Sequence, residues 1–310
     1  MINYILSDQL DYNLLICDDA GHGYANNMGW PVVKVSELNV TEKEIFAVDN
    51  RITADEAAKL EIIIRQNSDT TFLLKIVDPF MENVRHHYYE FLSRMSECAN
   101  TFLLSVYQPT ELADILKGQY KHRFIHLPYP YLKEREVERN SKLNRIVITG
   151  ALNEQVYPYR YSVWKKVTRS WLRPFFFSIL KHPGYAELSE KKQHAHRVVG
   201  ALFVEHLSLF KYMLLCPTRC KIELLKFYEC AYAGCMPVGE PPLSYPAEIA
   251  GMFLPLRPAF FVSDTLNIIR NGYDAGKVYT FRDFLRKTRS PECLNTILEK
   301  FLLENTFHTS

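Results

Sequence analysis

Short apolar runs, rich in β-branched and aromatic residues, recur along the first 130 residues. They fall at Tyr12–Cys17, Pro31–Val35, Ile45–Val48, Thr71–Val77 and Thr101–Val106. Runs this short, apolar without alternation, suit strands of a parallel sheet covered on both faces. Helical spacing fills the gaps. Thr53 with Glu56 forms a capping box in front of Ala54–Gln66, and Glu82–Met95 and Thr110–Leu116 read as further helices. Strands alternating with helices predict an α/β domain over residues 1–131, closing at the H-R-F-I-H-L-P-Y-P-Y segment.

Residues 132–144, L-K-E-R-E-V-E-R-N-S-K-L-N, are highly charged and follow prolines, as an exposed interdomain linker would. The alternation then resumes over residues 145–310. Strands are expected at Arg145–Thr149, Phe175–Leu180, Tyr212–Cys216 and Met236–Val238, and helices at Pro158–Leu172 and His196–Leu207. The tail from Asp264 to Phe307 reads as mostly helical.

The segment from Cys216 to Val238, C-P-T-R-C-K-I-E-L-L-K-F-Y-E-C-A-Y-A-G-C-M-P-V, is the most informative. Thr218 is placed as N-cap of a helix and Gly234 as its C′ residue. At 100° per residue, Ile222, Leu225, Glu229, Tyr232 and Ala233 then share one face. A carboxylate inside that apolar stripe needs a polar partner. An arginine or backbone amides would make Glu229 structural, and a ligand would make it functional.

The stretch E-C-A-Y-A-G-C-M-P-V resembles the E-A-x-A-x-G-x-P-V pattern in the C-terminal domain of GT-B glycosyltransferases, of the group 1-like, nucleotide-sugar-dependent kind. The motif-level resemblance spans residues 145–260, and the N-terminal half matches in element order. It implies two Rossmann-like domains facing across a cleft, with a helical C-terminal tail. It also implies a nucleotide-diphosphate sugar as co-substrate, with Glu229 on the ribose hydroxyls.

Other positions carry candidate chemistry. Gly150–Arg160 follows a strand and leads into a helix with Pro158 near its first position, where Arg160 either suits an anionic phosphate or simply stands exposed at a helix start; the resemblance implies that the phosphate is the donor diphosphate. Thr218 and Arg219 gather a hydroxyl and a guanidinium at a second helix start. His182, Gly184 and Tyr185 lie at a strand's carboxyl end, where the resemblance places the nucleotide base; a plain turn accounts for them equally. In the first domain the loop Asp18–Asn27 offers Asp18, Asp19 and His22 as proton acceptors, though a polar turn rich in Gly and Asn explains it too; the resemblance places this loop in the cleft, with Asp19 or His22 as the acceptor-side base. Asp78 is the reserve. His86 and His87 lack a carboxylate at ligand spacing, and no D-x-D site is evident, so a metal-independent reaction is expected. Trp164, Lys165, Lys166, Arg169, Trp171 and Arg173 give helix 158–172 a basic, aromatic character. A core stripe with a solvated basic face explains it, and so does peripheral contact with an anionic membrane.

Composition narrows the classes. A chain of 310 residues, 47% hydrophobic, is ordinary for one or two globular domains, and a net charge of +2 gives no general pull toward nucleic acid. No apolar run reaches membrane-spanning length, and the N-terminal M-I-N-Y-I-L-S-D-Q-L lacks the features of a signal peptide. Seven cysteines without a C-x-x-C pair suit reduced thiols in a cytoplasmic protein. No G-x-G-x-x-G is present, which argues against a dinucleotide dehydrogenase. The expected activity is sugar transfer from the nucleotide donor to a hydroxyl of a glycan or lipid-linked glycan, as in polysaccharide biosynthesis. No further cofactor is expected. The rivals are a sugar-nucleotide epimerase on the same fold and a non-catalytic nucleotide- or sugar-binding protein.

Overall fold

The computed structural model describes residues 2–9, 21–41, 43–76, 86–107, 111–180 and 200–306. The chain divides into two compact units, Met1–Pro130 with Arg289–Ser310, and Tyr131–Thr288. The helical tail is therefore shared: its last helix belongs to the first unit.

The first unit holds β1 (Ile2–Leu6), α1 (His22–Met28), β2 (Val32–Lys34), β3 (Ile45–Val48), α2 (Ala54–Gln66) and β4 (Thr71–Ile76), then α3 (His86–Met95), β5 (Thr101–Ser105), α4 (Glu111–Tyr120) and β6 (Phe124–His126). All strands run parallel in the order β2-β1-β3-β4-β5-β6. The first strand is Ile2–Leu6, a stretch not expected to be one, while Tyr12–Cys17 lies outside the described residues. A five-residue run buried at four positions suits a strand inside a doubly covered sheet. The capping box is as expected: the Thr53 hydroxyl accepts from Glu56 N, and Glu56 Oε2 accepts from Thr53 N at 2.7 Å. One face packs Ile5, Val48, Phe72 and Leu74 against Leu60, Ile64, Phe91 and Tyr120 of the helices.

The second unit holds β7 (Leu143–Ile148), α5 (Pro158–Thr168), α6 (Arg173–Phe176), β8 (Phe177–Ile179), α7 (Gly200–Leu207) and β9 (Phe210–Leu215), then α8 (Leu225–Tyr232), β10 (Met236–Gly239), α9 (Ala247–Ala250), α10 (Phe261–Asn271) and α11 (Ala275–Arg289). Its sheet is parallel, in the order β10-β9-β7-β8. The strand expected from Phe175 opens instead with a helical turn, α6, because Pro174 suits a first turn. α12 (Pro291–Thr306) returns to the first unit, where Asn295 Oδ1 accepts from Trp30 Nε1 at 2.9 Å and Phe301 meets Phe102 edge-on at 5.8 Å.

The charged stretch 132–144 is not a free linker. The Glu136 side chain is 8% exposed and pairs with Arg286. Val137 N donates to Tyr232 O at 2.8 Å, and Tyr131 stacks on Tyr232 at 4.5 Å. Arg282 completes this clamp by donating to the carbonyls of Ala231, Tyr232 and Val137, so it caps α8. Gly234, at φ +61, is the left-handed C′ residue; a Cβ there would lie 2.8 Å from Arg282 Nη2.

Charge is also buried in the first unit. Lys75 Nζ donates to Tyr4 Oη at 2.9 Å and lies 3.4 Å from the Tyr24 ring centroid, while Tyr4 Oη donates to Asp49 Oδ2 at 2.7 Å. Lys75, Tyr4 and Asp49 are all buried. Removing one charge strands the other, so Lys75→Met should cost ~3–5 kcal/mol. Adding Asp49→Asn should recover part of that in urea unfolding; strictly additive losses would show that the two charges do not communicate through Tyr4.

His126, at the end of β6, gives a pH signature. Burial, with the nearby Arg289 charge, pushes its imidazole pKa down to about 4. Between about pH 6.5 and 4 the unfolded chain takes up a proton that the folded ring refuses, so stability falls as pH drops through that window. His126→Gln should flatten the fall by ~2–3 kcal/mol in urea titrations across it. An unchanged acid limb would mean that His126 titrates normally in the folded protein.

Candidate functional site

Ligands in open α/β sheets bind outside the carboxyl ends of the strands, where successive crossovers part to opposite sides. In the second unit that point lies between β7 and β9, because β8 falls on one side of β7 and β9 on the other. Two loops emerge there, residues 149–157 and 216–224.

The first loop turns on Gly150, at φ +94, a conformation that favours glycine. A Cβ at Gly150 would lie 2.6 Å from Arg160 Nη1. Arg160, in the first turn of α5, thus packs directly under the loop and is 2% exposed. Its Nη1 donates to Ala151 O at 3.1 Å and its guanidinium lies 4.4 Å from the Tyr157 ring centroid. Its Nε is buried without a hydrogen bond, and no carboxylate pairs with Arg160 among the described residues. Asn153 shapes the approach to α5, its Oδ1 accepting from Gln155 N at 2.9 Å and Val156 N at 3.2 Å. Pro158 opens the helix, and no side chain caps it.

The second loop corrects an expectation. Thr218 is not an N-cap, since α8 begins at Leu225 behind Leu224. Pro217 and a tight turn intervene. Thr218 Oγ1 accepts from Cys220 N at 3.2 Å, Lys221 N donates to Thr218 O at 2.8 Å, and Lys221 takes φ +58. Buried Glu223 then accepts from Tyr245 Oη at 2.9 Å, which keeps the chain irregular up to the helix. Arg219 is exposed on this turn, not at a helix start, and its N–H donates to Val156 O at 2.9 Å. That bond ties the two loops together.

Cys216 is buried at the same edge. Burial raises its thiol pKa, and Arg160 partly offsets the rise. At the next strand end, Gly239 takes φ +119; a Cβ there would lie 2.2 Å from Leu215 O and 3.1 Å from the Tyr159 ring. Lys221 Nζ meets Glu240 Oε2 at 2.6 Å across the β9 and β10 loops.

Glu229 is also placed differently. The buried side of α8 is Phe227, Tyr228, Cys230, Ala231 and Tyr232, so Leu225 and Glu229 lie at its half-exposed margin. The later start leaves Ile222 outside the helix, and the core takes the side that carries Phe227, Tyr228 and Ala231. Glu229 Oε2 meets Lys226 Nζ at 2.7 Å, and Lys226 Nζ lies 4.3 Å from the Phe203 ring centroid on α7. Oε2 makes no hydrogen bond beyond this ion pair. Arg160, Thr218 and Arg219 are gathered on the two tied loops, while Glu229 is engaged on the α7 side.

In the first unit, His22 opens α1, so the second half of the expected Asp18–Asn27 loop is helical. The His22 ring is exposed, and Asn26 Nδ2 donates to its Nδ1 at 2.9 Å. No carboxylate orients that ring among the described residues. Asp18, Asp19, Asp78, His182, Gly184 and Tyr185 lie outside the described residues. His86 meets Glu90 at 3.2 Å on an exposed helix face, and no group of three His, Cys, Asp or Glu side chains could hold a metal among the described residues. No described helix is long and apolar enough to cross a membrane.

Sequence reasoning passed over Gly150 as the seat of Arg160, and Lys75 and Asp49 as a buried pair. A lysine inside the apolar strand T-F-L-L-K-I was the available signal for the latter.

No family model and no curated protein matches the chain. Among solved structures, the chain is similar to one described as "Crystal structure of GtfA/B complex", with a TM-score of 0.52 at 13% sequence identity. The match covers 87% of this chain and 59% of that one, so this chain spans under two thirds of its neighbour's length.

Proposed function

We propose that the protein is a GT-B-type glycosyltransferase that moves a sugar from a nucleotide-diphosphate sugar to a hydroxyl acceptor. One observation carries the reading: Arg160 is a buried cation with no carboxylate partner among the described residues, at the open start of α5 and at the switch point of a parallel sheet. A buried charge without a counter-ion is costly. A diphosphate supplies the missing charge, and helix amides and guanidinium groups are its natural ligands. The similarity in fold to a glycosyltransferase complex supports the same reading.

In this reading Arg160, Arg219 and the Thr218 turn hold the diphosphate, and Glu229 exchanges Lys226 for the ribose hydroxyls. His182, Gly184 and Tyr185 receive the base. The bond from the anomeric carbon to the diphosphate breaks, and one to the acceptor oxygen forms. His22 or Asp19 takes the hydroxyl proton, and the diphosphate leaves as an anion stabilised by the two arginines.

A thermal-shift panel of nucleosides, nucleoside diphosphates and their sugars tests the donor site. A ligand at 100 times its dissociation constant should stabilise by about 2.7 kcal/mol. Arg219→Ala and Arg160→Met should abolish most of the preference for diphosphate over nucleoside. Glu229→Ala should weaken both ligands by ~1.5–3 kcal/mol. Unchanged nucleotide affinity in a folded Glu229→Ala variant would remove Glu229 from the site. Labelled donor then separates the activities: a transferred sugar supports the proposal, whereas an isomerised sugar, or binding without turnover, replaces it.

A further inference from the structure

The outer side of α5 and the corner that follows carry a surface that the donor site does not use. From Tyr157 to Leu180 the sequence contains no Asp or Glu. Lys165, Lys166, Arg169 and Arg173 are exposed there, and none forms an ion pair among the described residues. The acid on the facing helix is already engaged, since Asp264 Oδ1 meets Arg257 Nη2 at 2.7 Å.

Large apolar side chains stand among these cations. Trp171 is 67% exposed and Phe175 62%, with Phe260 at 56% and Val262 at 47% on the start of α10. Leu172 is fully buried, and the turn that sends it inward turns Trp171 outward. Phe261 is buried and stacks on Phe177 at 5.5 Å, which fixes this wall. Between α5 and α10 runs an open groove of about 500 Å³, with Lys165, Lys166 and Arg169 on one side, Trp171 at its end and Val262 opposite.

We propose that this face of the second unit docks on the surface of an anionic lipid bilayer. Tryptophan and phenylalanine settle at the headgroup boundary, and lysine and arginine stems lie along it while their charges reach the phosphates. Exposed cations interleaved with exposed aromatics match both layers of that interface. The charge is local, because the chain as a whole carries only +2. Nucleic acid fits less well: its affinity rests on many phosphate contacts, and here the cations are few and separated by apolar side chains. A two-fold dimer through this face would set the same four cations against each other. The proposal is independent of the reaction at the donor site.

Co-sedimentation of the full chain tests it, using vesicles of mixed phosphatidylglycerol and phosphatidylcholine against vesicles of phosphatidylcholine alone. Binding should require the anionic lipid and weaken with salt. Lys165→Gln, Lys166→Gln and Arg169→Gln should each reduce it about fivefold. Trp171→Ser should reduce it about tenfold, with the melting temperature unchanged, since that ring is exposed. Brominated lipid should quench the wild-type tryptophan emission, and Trp171→Phe should remove most of that quenching. Equal sedimentation with both vesicles, or with neither, overturns the proposal, as does full binding by the combined Lys165, Lys166 and Arg169 variant. Displacement from vesicles by a short single-stranded oligonucleotide, with tighter binding to it than to lipid, would assign the face to nucleic acid.

Discussion

A guanidinium held out of water, with no counter-charge among the described residues, governs the carboxyl edge of the second sheet. Arg160 fills the space that a Cβ on Gly150 would need, and the φ of +94 there favours glycine as well, so the loop after β7 and the guanidinium are fitted to each other. The same group offsets the burial of the Cys216 thiol at the end of β9. The Arg219–Val156 bond then draws the next loop onto the first. Two strand ends and a helix start are thereby set around one positive charge.

Arg282 shows what a purely structural arginine looks like in the same unit. It is also buried, yet it donates to three carbonyls and meets the carboxylate of Glu138. Its charge is answered within the protein, and its work is to cap α8 and pin the segment after Pro130. Arg160 has a carbonyl, a thiol and a ring, and its Nε is left over. The comparison separates a fold-building cation from one whose surroundings suit an incoming anion.

The first unit manages its buried charge differently. Lys75 and Asp49 stand past or near the ends of adjacent strands, bridged by the Tyr4 phenol and shielded by the Tyr24 ring. Glu56 serves both as partner of the α2 cap and as acceptor for Ser7 Oγ and Asp8 N, so one carboxylate fixes a helix start and the turn after β1. Such carboxyl-end networks position the loops that leave a parallel sheet.

Local rules fixed much of this from sequence alone. The strand Ile45–Val48, the helix Ala54–Gln66 with its capping box and the left-handed Gly234 follow from burial patterns and end signals that act within a few residues. Arg160 at a helix start was legible too, because Pro158 marks the first position. Other features depended on contacts distant in sequence. Thr218 has the chemistry of a cap, but Pro217, the Lys221 turn and the Glu223–Tyr245 bond delay the helix to Leu225. Packing then buries the Phe227, Tyr228 and Ala231 side of α8, which leaves Glu229 at the half-exposed margin, paired with Lys226. The charged 132–144 stretch reads as a linker until Arg282 and Arg286, about 150 residues on, close over the Glu136 carboxylate. Composition showed that helix 158–172 was basic and aromatic. Only packing decided which of its aromatics face outward, because Leu172 takes the core position and leaves Trp171 to solvent.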